Sequence, residues 1–219
     1  MEGLVDSTPV LERPTVVGVD GVDGSGKTTF ADRLAAQYAA AERTAHVVHL
    51  DDFHNPRTIR YRAGRDSPEG YFFDTYNLRA FMTNVIEPIH GHPPRLIVSQ
   101  AFDHRVDRPV QEQPTEVRAG EVVIVEGMFL HRDELRSVWD LSVFLDVPFG
   151  ISVARMAERD GTSSDPEDPS LRRYVEGQRI YLSTCHPAER STFLIDNSRP
   201  GSLAGVGPKS LRRTGTWLG

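Results

Sequence analysis

The sequence predicts an α/β domain of three layers, with a mainly parallel sheet covered by helices on both faces, and two observations carry the prediction. Short, nearly all-apolar runs of the kind buried on both faces of a parallel sheet occur at residues 15–20, 122–125 and 141–146. Between them lie segments with apolar residues at helical spacing, such as Phe30, Leu34 and Tyr38. Strands that alternate with helices in this way give a doubly covered sheet.

Taken in order, residues 1–14 read as a flexible leader and residues 15–20 as the first strand. A glycine-rich turn over 21–26 opens into a helix over 28–41, and a second strand over 45–50 ends at Asp51 and Asp52. A polar segment containing Pro56, Gly64 and Pro68 leads to a helix over 78–89. Residues 96–102 and 106–117 suit a hairpin, 122–126 and 141–146 are buried strands, and 193–196 is the last strand. Helices over 150–159 and 171–183 flank a polar stretch at 161–170, and residues 198–219 form a glycine-rich tail with Lys209, Arg212 and Arg213. No internal repeat or domain boundary is visible, so 15–197 reads as one domain.

Composition narrows the function classes. The chain has 219 residues, enough for one sizeable core, and its formal net charge of -6 argues against the basic face of a nucleic-acid binder. A single cysteine, Cys185, cannot form an internal disulfide, and no signal peptide is legible, so the cytoplasm is the expected address. The longest apolar runs, 122–125 and 141–147, fall far short of the roughly 20 residues a membrane helix needs. Neither nucleic acid nor membrane is an expected partner; self-association is left open.

Gly21-Val-Asp-Gly-Ser-Gly-Lys27-Thr28 matches G-x-x-x-x-G-K-[ST], the phosphate-binding P-loop, between a buried strand and an amphipathic helix. Its glycines let backbone N–H groups curl around phosphate oxygens, Lys27 reaches the terminal phosphates and the Thr28 hydroxyl suits magnesium. Gly21, Asp23, Gly24, Ser25, Gly26, Lys27, Thr28 and Thr29 are therefore the expected nucleotide-binding set, with ATP and Mg2+ as cofactors. Phosphoryl transfer also needs a metal-supporting acid, an oriented acceptor and cations for developing charge. In an open α/β sheet these gather at the carboxyl ends of strands, where Asp51 and Glu126 fall. Asp51 is the candidate general base, and Thr28, Asp51 and Glu126 are the candidate magnesium ligands.

These residues resemble the uridine kinase family of P-loop kinases, whose relatives include nicotinamide riboside kinase, pantothenate kinase and phosphoribulokinase. Besides the loop, the resemblance rests on Asp51-Asp52-Phe53-His54, on Gly70-Tyr-Phe-Phe-Asp74 and on Val125-Glu126-Gly127. It implies an ATP-dependent kinase of a small-molecule hydroxyl, most simply a nucleoside, in which Asp74 holds an acceptor hydroxyl and Phe102, Asp103, His104 and Arg105 lie over the acceptor ring. It also implies that 161–170 is a mobile lid, with Arg155, Arg159 and Arg173 beside it; Arg155 and Arg159 are assigned to the transferred phosphoryl group and Arg173 to the substrate.

Arg57, Arg60, Arg62 and Arg65 depart from a simple nucleoside site, because guanidinium forks suit phosphate or carboxylate. The remaining histidines, including His49 and His131, show no metal-ligand spacing and read as surface or packing residues. Two rival readings are a nucleotide kinase, or kinase of another metabolite such as pantothenate, a sugar or an antibiotic, and a GTPase-like switch. A switch would carry N-K-x-D for guanine, and the chain has no Asn-Lys pair.

Overall fold

A computed structural model describes residues 1–199 and the strand Leu211–Arg213. Its strands are β1 (Thr15–Gly21), β2 (Ala45–His49), β3 (Arg95–Ile97), β4 (Phe102–Asp103), β5 (Arg108–Pro109), β6 (Thr115–Val117), β7 (Val122–Gly127), β8 (Leu141–Asp146), β9 (Phe193–Asp196) and β10 (Leu211–Arg213). The helices are α1 (Glu2–Asp6), α2 (Lys27–Ala40), α3 (Arg57–Arg60), α4 (Pro68–Asp74), α5 (Leu78–Phe81), α6 (Glu87–His90), α7 (Phe149–Asp160), α8 (Arg172–Cys185) and α9 (Pro187–Arg190).

The central sheet has the order β10-β9-β8-β1-β7-β2, with five parallel strands and β10 antiparallel at one edge. The predicted fold class is the observed one. Each face of the sheet has its own core, and the period of two along a strand assigns residues to them. Val123 and Val125 of β7 join Phe53, Phe81 and Tyr181 on one face, while Val122 and Ile124 join Phe30, Leu34 and Tyr38 of α2 on the other. The register matters more for function: Glu126 of β7 lies opposite Val19 of β1 and His49 of β2, so the carboxyl ends of three strands finish together beside the loop after β1.

Three local features differ from the sequence reading. The polar segment after Asp52 contains α4, capped by the Ser67 hydroxyl, which accepts the Gly70 N–H at 3.0 Å, and opened by Pro68 in its first turn. The expected helix over 78–89 passes through a π turn at Met82–Ile86. Pro88 has no N–H to give the Asn84 carbonyl, and the Val98 N–H takes that place at 3.0 Å. The expected hairpin is two short ladders, β3 with β6 and β4 with β5.

The leader is a correction. Instead of a flexible segment, residues Glu2–Asp6 form α1, and Leu4 is buried in the α2 side of the core. The Thr8 hydroxyl bonds the Tyr38 hydroxyl at 2.6 Å, and Arg43 donates to the Thr8 and Pro9 carbonyls at 3.1 and 2.6 Å. Of the tail, the described part includes β10, which pairs with β9; Lys209 lies outside the described residues.

Burial of this kind gives a direct expectation. Leu4→Ala should lower unfolding free energy by about 2–4 kcal/mol, as removal of a fully buried leucine side chain does. Equilibrium urea unfolding measures this, and a change under about 0.5 kcal/mol, the size of an ordinary surface substitution, would show a leader that does not dock.

Candidate active site

The site is built around the turn between β1 and α2. Gly24 has φ +73°, and a Cβ there would sit 2.2 Å from the Ser152 carbonyl oxygen, so only glycine fits between the loop and α7. Gly26, at φ +90°, ends the turn and caps α2 without a side chain, which leaves the first amides of the helix free for an anion. Lys27 Nζ donates to the Val22 carbonyl at 3.0 Å across the loop.

The loop is held in place from behind by residues distant in sequence. Asp20, fully buried at the end of β1, accepts the Gly21 N–H at 2.7 Å, His131 Nδ1 at 2.7 Å and the hydroxyl of Tyr181 on α8. Gln178 of the same helix accepts the Asp23 N–H at 2.6 Å, and Asn197 donates to the Ser25 carbonyl at 2.7 Å. A buried carboxylate survives only with such partners. The sequence reading missed all four residues, and it took His131 for a surface or packing histidine; the available signal was Asp20, a charge closing an otherwise apolar strand.

The acids at the strand ends converge on Thr28. Its hydroxyl donates to Glu126 Oε1 at 3.1 Å, and His49 Nδ1 meets the same oxygen at 2.6 Å. That bond to Glu126 raises the His49 pKa above its ordinary value. Asp51 Oδ1 accepts the Tyr76 hydroxyl at 2.8 Å. Next to it, Asp52 accepts the Gln100 amide at 2.9 Å, and burial raises its pKa. Among the described residues no three His, Cys, Asp or Glu side chains cluster as a self-sufficient metal cage. A hydroxyl, Glu126 and Asp51 beside a phosphate cradle instead fit magnesium, which keeps several waters and borrows ligands from phosphates.

Two cavities, of about 400 and 340 Å³, meet at Thr28, Asp51, His104 and Glu126. The larger runs from Asp23, Gly24, Lys27 and Thr29 to His54, Arg60 and Tyr71. His54 and His104 stack there with centroids 4.5 Å apart. His54 Nδ1 donates to the Asp51 carbonyl at 2.6 Å, and burial pulls the ring pKa down to about 4. A neutral ring with its proton on Nδ1 leaves Nε2 as an acceptor. Arg159 also lines this cavity, with a guanidinium nitrogen 3.7 Å from Asp23.

The structure does not gather every predicted site residue. Arg155, expected on the transferred phosphoryl group, donates instead to the Asn197 and Ser198 carbonyls, both at 3.0 Å. Arg173, expected to bind substrate, borders the cavity but spends its guanidinium on the carbonyls of Arg60, Gly64, Arg65 and Ser67 at 3.0 to 3.3 Å. Asp74, expected to hold an acceptor hydroxyl, is buried and takes both forks of Arg62, at 3.0 and 2.5 Å. Phe102 is buried packing, whereas Asp103 and Arg105 line the smaller cavity. Residues 161–170 line neither cavity.

The family model described as "Phosphoribulokinase / Uridine kinase family" matches residues 16–164. A uridine kinase from Streptococcus agalactiae serotype V is 28% identical over 191 residues, covering 84% of this chain and 87% of that protein. A phosphoribulokinase from Synechocystis is 28% identical over 193 residues, covering 80% of this chain but 53% of that protein, so the chain spans about half its length. Among solved structures, one described as a possible uridine kinase from Bacillus stearothermophilus superposes with a TM-score of 0.66 at 23% identity, covering 84% of this chain and 89% of that one. The phosphoribulokinase from Rhodobacter spheroides gives 0.56 at 14% identity, covering 86% and 74%. At these identities the structural matches show the fold.

His54 makes a pH expectation with a definite sign. Its pKa is about 4 folded, against 6.5 for the unperturbed side chain, so the unfolded state binds the proton first as pH falls through that window. The stability contributed by neutral His54 is present above pH 6.5 and is lost toward pH 4. His49, whose pKa is raised, pulls the opposite way, so the comparison must isolate His54. The melting-temperature gap between the wild-type protein and His54→Gln should shift in favour of the variant as pH drops from 7 to 4.5. Parallel curves across that range would contradict a His54 held neutral by the fold.

Proposed function

This chain belongs to the Phosphoribulokinase / Uridine kinase family, and from that membership and the site geometry we propose that it transfers the γ-phosphoryl group of ATP to a hydroxyl of a small molecule. The observation that supports this most is the convergence of the phosphate loop, Thr28, Glu126 and Asp51 where the two cavities meet. In this reading the loop amides and Lys27 would bind the β- and γ-phosphates, and Thr28, Glu126 and Asp51 would hold Mg2+. The metal, when bound, neutralises phosphate charge. Arg159, paired with Asp160 at 2.7 and 2.8 Å at the cavity edge, would turn to stabilise charge on the transferred group.

Asp51 receives the proton of the attacking hydroxyl. The Tyr76 hydroxyl fixes one of its oxygens, which orients the carboxylate before the acceptor arrives. His54 Nε2 accepts a hydrogen bond from the acceptor. The likeness to uridine kinases favours a nucleoside or nucleoside-like acceptor. A second reading, a sugar or other polar metabolite, is favoured by the wall opposite the loop, where His54, His104 and Arg60 stand and Phe102 is withdrawn into packing.

An ADP-release screen over nucleosides, nucleotides, pantothenate and sugars tests the acceptor class. With the acceptor so found, Asp51→Asn should turn over about 10²- to 10⁴-fold more slowly while binding ATP with nearly normal affinity. Asp52→Asn is the control. Greater damage from Asp52→Asn would move the base by one position, and full activity in both would remove a carboxylate base from the mechanism.

A further inference from the structure

His49 ends β2 directly opposite Glu126 of β7 in the parallel register. Alternation along the two strands sends both side chains to the α2 face, because Val48 and Val125, one residue earlier, belong to the core on the other face. Thr28, in the first turn of α2, completes the group. A single carboxylate oxygen, Glu126 Oε1, accepts the Thr28 hydroxyl at 3.1 Å and His49 Nδ1 at 2.6 Å. An ionised carboxylate can only accept, so the proton of the shorter bond is on Nδ1.

The other oxygen is left open. Among the described residues Glu126 Oε2 accepts no hydrogen bond, although the side chain is only 8% exposed and borders both cavities. The last torsion of a glutamate is broad and two-fold, so a carboxylate tethered by one weak bond can swing. Thr28 is itself a candidate magnesium ligand. That leaves His49, among the described residues, as the one donor on Glu126 that is not also a ligand. With 39% of its side chain exposed, His49 is not there to fill the core. Outer hydrogen bonds of this kind aim the groups that hold a metal, and loss of one costs about 10- to 100-fold in metal affinity.

We propose that His49 is a positioning residue of the magnesium site: its Nδ1–H fixes Glu126 Oε1 so that Oε2 faces the metal or the metal's water shell. This rests on the kinase reading above and deepens it, adding to the metal site a residue that touches neither metal nor phosphate.

The test reads metal binding without turnover. Protein in excess is loaded with a non-hydrolysable ATP analogue, Mn2+ is titrated in place of magnesium, and the free ion is counted by electron paramagnetic resonance. His49→Ala should weaken Mn2+ binding about 10- to 100-fold, while analogue affinity in EDTA stays that of the wild type. His49→Asn, whose amide N–H lies close to the position of Nδ1–H, should restore most of the affinity. His49→Gln, whose amide reaches the Nε2 position instead, should not. In a Glu126→Gln background His49→Ala should cause little further loss, since both changes remove one interaction. Wild-type metal affinity in His49→Ala, equal rescue by Asn and Gln, or losses that add in the double variant would each overturn the inference while the kinase reading stands. If His49→Ala does not fold, shown by lost analogue binding in EDTA, the comparison of Asn with Gln carries the test. If the analogue-loaded wild type binds no metal, the metal role of Glu126 falls and the inference with it.

Discussion

Asp20 is a carboxylate at the end of an apolar strand, shielded from water and surrounded by four donor groups from three parts of the chain. Burying that charge costs several kcal/mol unless every partner is in place. The interaction therefore specifies an arrangement. It ties the first residue of the phosphate loop to His131, in the turn after β7, and to Tyr181 on α8. Once α8 is pinned there, its other side chains fall into register: Gln178 reaches the loop amide of Asp23, and Arg173 reaches the carbonyls at 60–67. Gly177 lets α4 approach closely, since a Cβ there would meet the Pro68 carbonyl oxygen at 2.8 Å. One helix thus touches both the phosphate-loop wall and the α3–α4 wall of the cavity, and Asp20 ties it in place.

Charge is divided across the cavity in a way that suits phosphoryl transfer. Acids come from strand ends, where the parallel register fixes Glu126 beside His49 and Val19. Cations come from the loop and from helices: Lys27 at the start of α2, Arg159 near the end of α7 and Arg60 at the end of α3. Glu126 is therefore on the sheet itself, Asp51 comes just after a strand, and Thr28 and the cations are on the covering layer. This division is consistent with a reaction in which positioning and electrostatics do most of the work.

The sheet, its order of elements and the loop were legible in the sequence because each has a local signature. A strand covered on both faces is an apolar run, and the loop is eight consecutive residues. The Asp20, Gln178 and Asn197 contacts were not legible, since their partners lie 111, 155 and 172 positions away and no short-range pattern encodes them. α4 was different: Ser67, Pro68 and Glu69 are a sound helix start, hidden by the expectation of a polar loop. The arginines show the limit most clearly. Arg155, Arg159, Arg173 and Arg60 have the same chemistry in a sequence, and only the positions of backbone carbonyls separate those that brace the chain from those that face the cavity.

The central claim is that the loop, the strand-end acids and the acceptor wall form one transfer site rather than a nucleotide switch. The most direct measurement follows the γ-phosphoryl group itself. ATP labelled with oxygen-18 on the γ-phosphate is incubated with the protein, magnesium and a pool of hydroxyl-bearing metabolites, and the products are resolved by phosphorus NMR and mass spectrometry. The account predicts that the labelled phosphoryl group appears in an acid-stable phosphate monoester of one pool member. Label found solely in inorganic phosphate, released at the same rate with and without the pool, would contradict it.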